Sequence, residues 1–198
     1  EALPILAKKV VGQGDVNIAG LIDRLSNSDW VKQGIRYFEQ STPQCPFCQQ
    51  DVEADLAKRI GDYFDEAYDR DIADIGRLVA GYVTAGAAYL QSLTGIAQVG
   101  SRYIDADELT GLIERVTARL ALNGQHIARK QKEPSAVVTL EDNTELFAEV
   151  RDFLMAANAA VAEHNGAVDD IGNQRANLTA EIWKYLLEEA KGVLDAYH

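Results

Sequence analysis

Cysteine, methionine and proline are scarce in this chain of 198 residues, which contains two, one and four of them. Two cysteines are too few for the disulfide framework of a small secreted domain, so we predict a reducing compartment, the cytoplasm. The only methionine is Met155, and the chain begins at Glu1. We therefore expect a segment of a longer protein or a processed chain, and we expect some function to lie in flanking sequence.

Positive charge is also scarce, because 19 Lys and Arg face 31 Asp and Glu, which gives a net charge of −12 at pH 7. Binding to a nucleic-acid backbone needs a basic surface, so we predict no direct nucleic-acid binding by this segment. Acids concentrate between residues 51 and 74, where their helical spacing predicts a solvated helix face rather than a calcium loop. An acidic partner site is the alternative. The nine acids are Asp51, Glu53, Asp55, Asp62, Asp65, Glu66, Asp69, Asp71 and Asp74.

A strongly apolar membrane segment is missing too. The stretch "LVAGYVTAGAAYLQSLTGIAQVGS", residues 78–101, has no charge and is long enough to span a bilayer. Its four glycines and its Ser, Thr and Gln residues lower its hydropathy. We predict a buried helix followed by a loop, and no membrane as partner.

What the chain does have is helical periodicity, which predicts an all-α fold of long antiparallel helices in a bundle or coiled-coil-like arm. One helix is predicted from about Asp51 to Leu93, because apolar and small residues there step by three and four. This first seam consists of Ile72, Ile75, Val79, Tyr82, Gly86, Tyr89 and Leu93.

Two more long helices follow. Asp105 is a predicted N-cap, with Glu108 as its capping-box partner, and Pro134 ends that helix. Its stripe consists of Leu109, Leu112, Val116, Leu120, Asn123 and Ile127. Thr139 is the predicted cap of the last helix, whose seam contains a stutter before Val168. We predict one helical domain over 1–198, with short helices in 1–50 that end in the "CPFC" turn and a long-helix bundle in 51–198.

Catalytic signatures are weak. The chain has no phosphate-binding loop of the form GxxxxGK[ST], no GxGxxG, no GxSxG and no HExxH. Arg119 and His126 lie seven residues apart on one predicted helix face, as the Arg–His pair of some helical ribonucleases does. His164 occupies a seam position, which is typical of a core or interface histidine. We expect no catalytic residue in this segment.

Cys45 and Cys48 are the only cysteines, and they form the turn Cys45-Pro46-Phe47-Cys48. Two thiolates separated by two residues can hold one zinc from a tight turn, which proline helps to form. Structural zinc has four ligands, so two chains that each supply Cys45 and Cys48 would complete the site. The alternatives are completion by His126 or His164 within the chain, a dithiol redox site, and a purely structural turn.

A resemblance to a known family begins at this turn. The run "LIDRLSNSDWVKQGIRYFEQSTPQCPFCQQ", residues 21–50, resembles the insertion in bacterial SMC-like AAA ATPases, a family that includes anticodon nucleases of phage defence. "AANAAVAEHNGAVDD", residues 156–170, is similar to the returning helix of that family, with His164-Asn165 as its His-Asn pair. The CPFC turn also resembles the zinc hook of SMC-like DNA-repair ATPases.

The resemblance implies a function. This segment would be a non-catalytic, coiled-coil arm that mediates self-association, as a homodimer, or couples ATPase heads through zinc shared at Cys45 and Cys48. ATP and Mg would bind only in flanking ATPase domains, and the parent protein would act in tRNA cleavage or DNA repair. The alternatives are a helical ribonuclease that uses Arg119 and His126, and a structural spacer. The short helix before Cys45 departs from the balanced arms of a long hook.

Overall fold

A computed structural model gives the architecture of the chain and describes residues 4–15, 18–41, 44–46, 48–53 and 55–196. Within these residues it contains helices and no strand, which confirms the predicted all-α class. A single isolated bridge joins Gln44 and Asp51. The helices are α1 (Pro4–Ala7), α2 (Ala19–Leu25), α3 (Ser28–Ser41), α4 (Leu56–Tyr63), α5 (Glu66–Val99), α6 (Ala106–Lys132) and α7 (Thr144–Leu194).

Helices α5 and α6 form an antiparallel hairpin. Leu93 near the end of α5 packs with Leu112 near the start of α6. Further along the hairpin the Tyr82 hydroxyl donates to the Leu120 carbonyl over 3.2 Å. Helix α7 then returns antiparallel to α6, with Val150 in the same apolar cluster as Leu112. The three long helices therefore share one core.

The predicted seams lie on the buried sides of α5 and α6. All seven positions of the first seam are buried or half-buried, and Ile75 and Leu93 are only 1% and 2% exposed. The α6 stripe is buried at every position except Leu120, which is half-buried. Asp105 caps α6 as predicted, because its carboxylate accepts from the amides of Asp107 and Glu108 at 3.0 Å.

The predicted helix from Asp51 to Leu93 is wrong, because it is interrupted between α4 and α5. Tyr63 and Phe64 turn into the core at the break and are 0% and 6% exposed. The Asp65 side chain then accepts from the Tyr68 amide over 2.9 Å and starts α5. A capping residue and two buried aromatic side chains thus end the helical spacing of the apolar residues Val52, Leu56, Ile60 and Phe64, which follow one another at steps of four.

The predicted cap of the last helix is wrong as well. Helix α7 begins at Thr144 rather than after Thr139, with Asn143 as N-cap residue. The Asp142 carboxylate accepts from the Thr144 amide over 2.9 Å and from its hydroxyl over 2.7 Å. These bonds lower the pKa of Asp142 below its usual value. Residues 139–143 remain extended or irregular along α6.

The short helices α1–α4 pack against the open end of the α5–α6 hairpin. We call this part of the molecule the head. Its core contains Val10, Ile22, Tyr63, Tyr68 and Ile75. Gly12 passes so close to Tyr63 that a Cβ atom there would collide with the ring and the backbone carbonyl. The amide of Val10 donates to the Pro134 carbonyl over 3.0 Å, and the amide of Val138 donates to the Leu6 carbonyl over 2.9 Å. Residues 6–10, which we call the N-terminal strap, are therefore tied to the α6–α7 connection.

Helix α7 has two unlike halves. Its proximal half, 144–164, contacts the hairpin through Leu146, Val150 and Phe153. Its distal half, 165–194, extends past the α5–α6 turn, and the side chains described there are exposed except for the half-buried Ala190. The stutter before Val168 does not interrupt the helix. None of the described helices is both long enough and apolar enough for a membrane crossing.

Candidate metal-binding turn

The CPFC turn is a short hairpin between α3 and α4. The Cys45 amide donates to the Gln50 carbonyl over 2.9 Å, and the Gln49 amide donates to the Cys45 carbonyl over 2.9 Å. The Gln44–Asp51 bridge closes the hairpin behind them. The backbone is therefore folded tightly enough to bring residues 45 and 48 into one turn.

Gln49 gives this turn its shape. It has φ of +59°, in the left-handed region where a side chain costs about 1 kcal/mol and glycine costs nothing. A hairpin that retains a non-glycine residue there is held by its hydrogen bonds. The conformation lies directly after Cys48, so it determines how the chain leaves the second cysteine.

The two sulfur-bearing residues are accessible. Cys45 is half-buried and Cys48 is exposed, while Phe47 between them lies outside the described residues. Thiolates suit zinc, and a two-residue spacing is the usual one for two ligands from a single turn. The donor set therefore fits one half of a tetrahedral zinc site.

The described residues place no further ligand group beside this turn. Among the described residues no group of three or more His, Cys, Asp or Glu side chains is arranged to hold a metal ion. His164 lies instead against the α5–α6 turn, where Arg102 Nη2 approaches its Nδ1 to 3.1 Å. Completion by His126 or His164, considered from the sequence, finds no support in this arrangement. His164 is also exposed rather than a core histidine.

The sequence also paired Arg119 with His126 as a candidate ribonuclease centre. Arg119 lines a cleft of about 590 Å³ between α6 and α7, together with Arg115, Asp142 and Glu149. His126 does not line it. The Arg119 guanidinium donates to the Asp142 carbonyl, and Arg115 pairs with Glu149. This pairing raises the pKa of Arg115 and lowers that of Glu149, as a structural ion pair does.

The acidic stretch 51–74 lies mostly in water. Seven of its nine carboxylate residues are exposed, and Asp65 and Asp71 are half-buried. Asp71 pairs with Lys8 at 2.6 Å, and Asp65 caps α5. The acids within α4 and α5 agree with a solvated helix face, and Asp71 also ties α5 to the N-terminal strap. Asp51, Glu53 and Asp55 precede α4 and do not lie on a helix.

Sequence analysis missed two features of the head. An apolar groove of about 340 Å³ lies between α2, α3 and α4, where Leu25 and Trp30 are 57% and 56% exposed. Gly34 lines this groove, and an added Cβ there would meet nothing within 4 Å. The spacing of Trp30, Gly34 and Phe38 by four residues was the available signal.

The second missed feature is a buried lysine. Lys130 is 0% exposed, and its ammonium donates to the carbonyls of Lys8, Pro134 and Ala136, the last two over 2.7 and 2.6 Å. Desolvation lowers its pKa, and Asp29 and Asp71 oppose the shift. In the sequence Lys130 stands among the basic residues at the end of α6, and nothing in that pattern predicts that its side chain is buried.

One comparison with known proteins identifies the family. The family model AAA_13, described as an AAA domain, matches residues 1–198. The chain therefore belongs to this AAA domain family. No curated protein and no solved structure matches it.

Proposed function

We propose that this chain is the non-catalytic helical arm of an SMC-like AAA ATPase, and that two copies join through one zinc ion shared by their CPFC turns. The observation that carries the proposal is the hairpin itself, which presents Cys45 and exposed Cys48 in one tight turn between α3 and α4. The family membership supports the ATPase context.

Zinc completes its coordination only when two turns meet. Each chain offers two thiolates, and structural zinc takes four ligands in a tetrahedron. Because the described residues offer no third ligand beside the turn, a second copy related by a two-fold axis supplies the other pair. Since both turns are needed, the metal-binding energy contributes directly to dimer stability.

The arm would then couple two ATPase heads. None of the usual nucleotide-binding loops occurs in this sequence, so we propose that ATP and Mg bind in flanking domains of the parent protein. A cytoplasmic protein that cleaves tRNA or repairs DNA is the setting that the family resemblance implies. In this segment Cys45 and Cys48 bind metal, and no residue is assigned to catalysis.

The test is zinc content and mass of the purified chain. We expect one zinc per two chains, a light-scattering mass of a dimer, and dissociation when a chelator removes the metal. Cys45→Ser and Cys48→Ser should each abolish both zinc binding and the dimer. Gln49→Gly is the matched control in the same turn: it removes the strain of the positive φ and should retain both.

Two results would contradict the proposal. One is a metal-free chain whose mass does not respond to chelator. The other is a Cys45→Ser variant that still binds zinc with the same stoichiometry, since that would place the metal elsewhere.

A further inference from the structure

The distal half of α7 carries an apolar face that nothing in the described part of the chain covers. Leu178 is 58% exposed, Ile182 50%, Tyr185 61% and Leu186 48%. Such a concentration of large apolar side chains on one helix is typical of an interaction site. The proximal half of the same helix buries residues of equal spacing against the hairpin.

The face has a defined seam. With 3.6 residues per turn, the positions that step by three and four lie along one side of the helix. They are Ile171, Arg175, Leu178, Ile182, Tyr185 and Glu189. This is the heptad spacing with which one helix packs on another.

The two borders of this seam differ in charge. One border carries Glu163, Asp170, Glu181 and Glu188, whose steps of seven, eleven and seven residues keep them in one line. Among the described residues, none of these carboxylates takes part in an ion pair. Lys184 lies further round, away from the seam.

The opposite border is apolar and uncharged. It consists of Val168, Gly172, Thr179, Leu186 and Val193. Trp183 lies beyond this border and is 62% exposed. The seam thus has one acidic and one apolar side, and a helix that covers it would meet different chemistry on each.

A second copy of α7 matches the charges of this seam only in part. In an antiparallel pair the acidic border of one helix lies against the acidic border of the other, and like charges repel. In a parallel pair Arg175 faces Arg175 and Glu189 faces Glu189 within the seam itself. An antiparallel copy centred on Ile182 would set Arg175 opposite Glu189 of the other copy, but it would still bring the two acidic borders together. A helix with a basic border therefore matches the charges of this seam better than a second copy does.

We propose that the distal half of α7 docks an amphipathic helix whose apolar seam is bordered on one side by lysine or arginine. The basic border would lie against Glu181 and Glu188, and a carboxylate in its seam would lie opposite Arg175. The apolar residues supply most of the contact, and the charges select the partner and its orientation. This site lies on the far side of the molecule from the CPFC turn, so it does not depend on zinc.

Two synthetic helices of about four heptads test the proposal. They share one leucine and isoleucine seam with a central glutamate, and carry either lysine or glutamate along one border. Binding to the whole chain, followed by Trp183 fluorescence in a Trp30→Phe background, should be at least about tenfold tighter for the lysine helix, and the ratio should shrink as salt rises. Glu181→Lys should reduce the ratio severalfold.

Asp169→Lys is the matched control, because it makes the same charge change on the opposite side of the helix and should leave the ratio unchanged. Equal affinity for the two helices, or no binding by either, would overturn the proposal. So would a dimeric chain that Leu178→Ser converts to a monomer, since a second copy would then occupy the face. All of these variants retain Cys45 and Cys48, so zinc binding can be measured in each of them independently of helix docking.

Discussion

The two halves of α7 have similar sequence spacing and opposite surroundings. Leu146, Val150 and Phe153 of the proximal half pack on the α5–α6 hairpin, whereas Ile171, Leu178 and Ile182 of the distal half are about half exposed or more. Both sets recur every three or four residues. A periodic apolar face therefore shows that a helix has an apolar surface that burial would stabilise. The surrounding fold determines whether this chain itself covers that surface.

The sharpest test of this difference is one substitution made in each setting. Leu112→Ala removes a side chain that is 1% exposed and packs against Val150. Loss of its burial together with the cavity left behind should lower the free energy of unfolding by about 3 kcal/mol. Leu178→Ala, at 58% exposure, should change it by less than about 0.5 kcal/mol.

Urea unfolding followed by circular dichroism at 222 nm measures both values. A loss of similar size at the two positions would mean that the distal half is covered in solution, and the comparison would fail. An increase in helicity for Leu178→Ala alone would agree with it, since alanine has the higher helix propensity.

The second test concerns a cation instead of an apolar side chain. Lys130→Met should lower the free energy of unfolding by about 2 kcal/mol, because three carbonyls of the strap and the α6–α7 connection lose their donor. The loss is limited because the charge of Lys130 is itself costly to bury, as its lowered pKa shows.

Lys184→Met is the control in the distal half, where the lysine is exposed. It should leave urea unfolding within about 0.5 kcal/mol of the original chain. If Lys130→Met were equally neutral, the strap would not depend on this ammonium group, and its three hydrogen bonds would be without energetic consequence.

The comparison also shows how much of the molecule follows from sequence. The all-α class, the α5 and α6 seams and the Asp105 cap were predicted, because periodicity and capping are local properties. The break at Phe64 and the late start of α7 were not, since they depend on burial of Tyr63 in the head and on bonds of Asp142. The spacing of apolar residues does not predict where a side chain is buried by residues that are distant in sequence.

The sequence predicted which residues form the candidate site, but it did not predict how they are arranged. Cys45 and Cys48 were recognised by their spacing, and the structure adds the hairpin and the left-handed Gln49. Zinc binding and dimer formation stay predictions. Lys130 and the groove beside Trp30 were missed because each is assembled from several elements, so neither has a signature within one stretch of sequence.

The smallest expected effect is a difference in alkaline stability between a buried and an exposed tyrosine. Burial, together with Asp29, Asp69 and Tyr63, raises the pKa of Tyr68 to about 12. Between pH 10 and 11 the unfolded chain loses this proton while the folded chain keeps it, so the free energy of unfolding falls by about 1 kcal/mol. Tyr68→Phe should reduce that slope between pH 10 and 11, measured by urea unfolding at each pH. Tyr185→Phe is the control, because that side chain is 61% exposed, and it should leave the slope unchanged. Equal slopes for the two variants would show that Tyr68 is not shielded from water as its packing in the head requires.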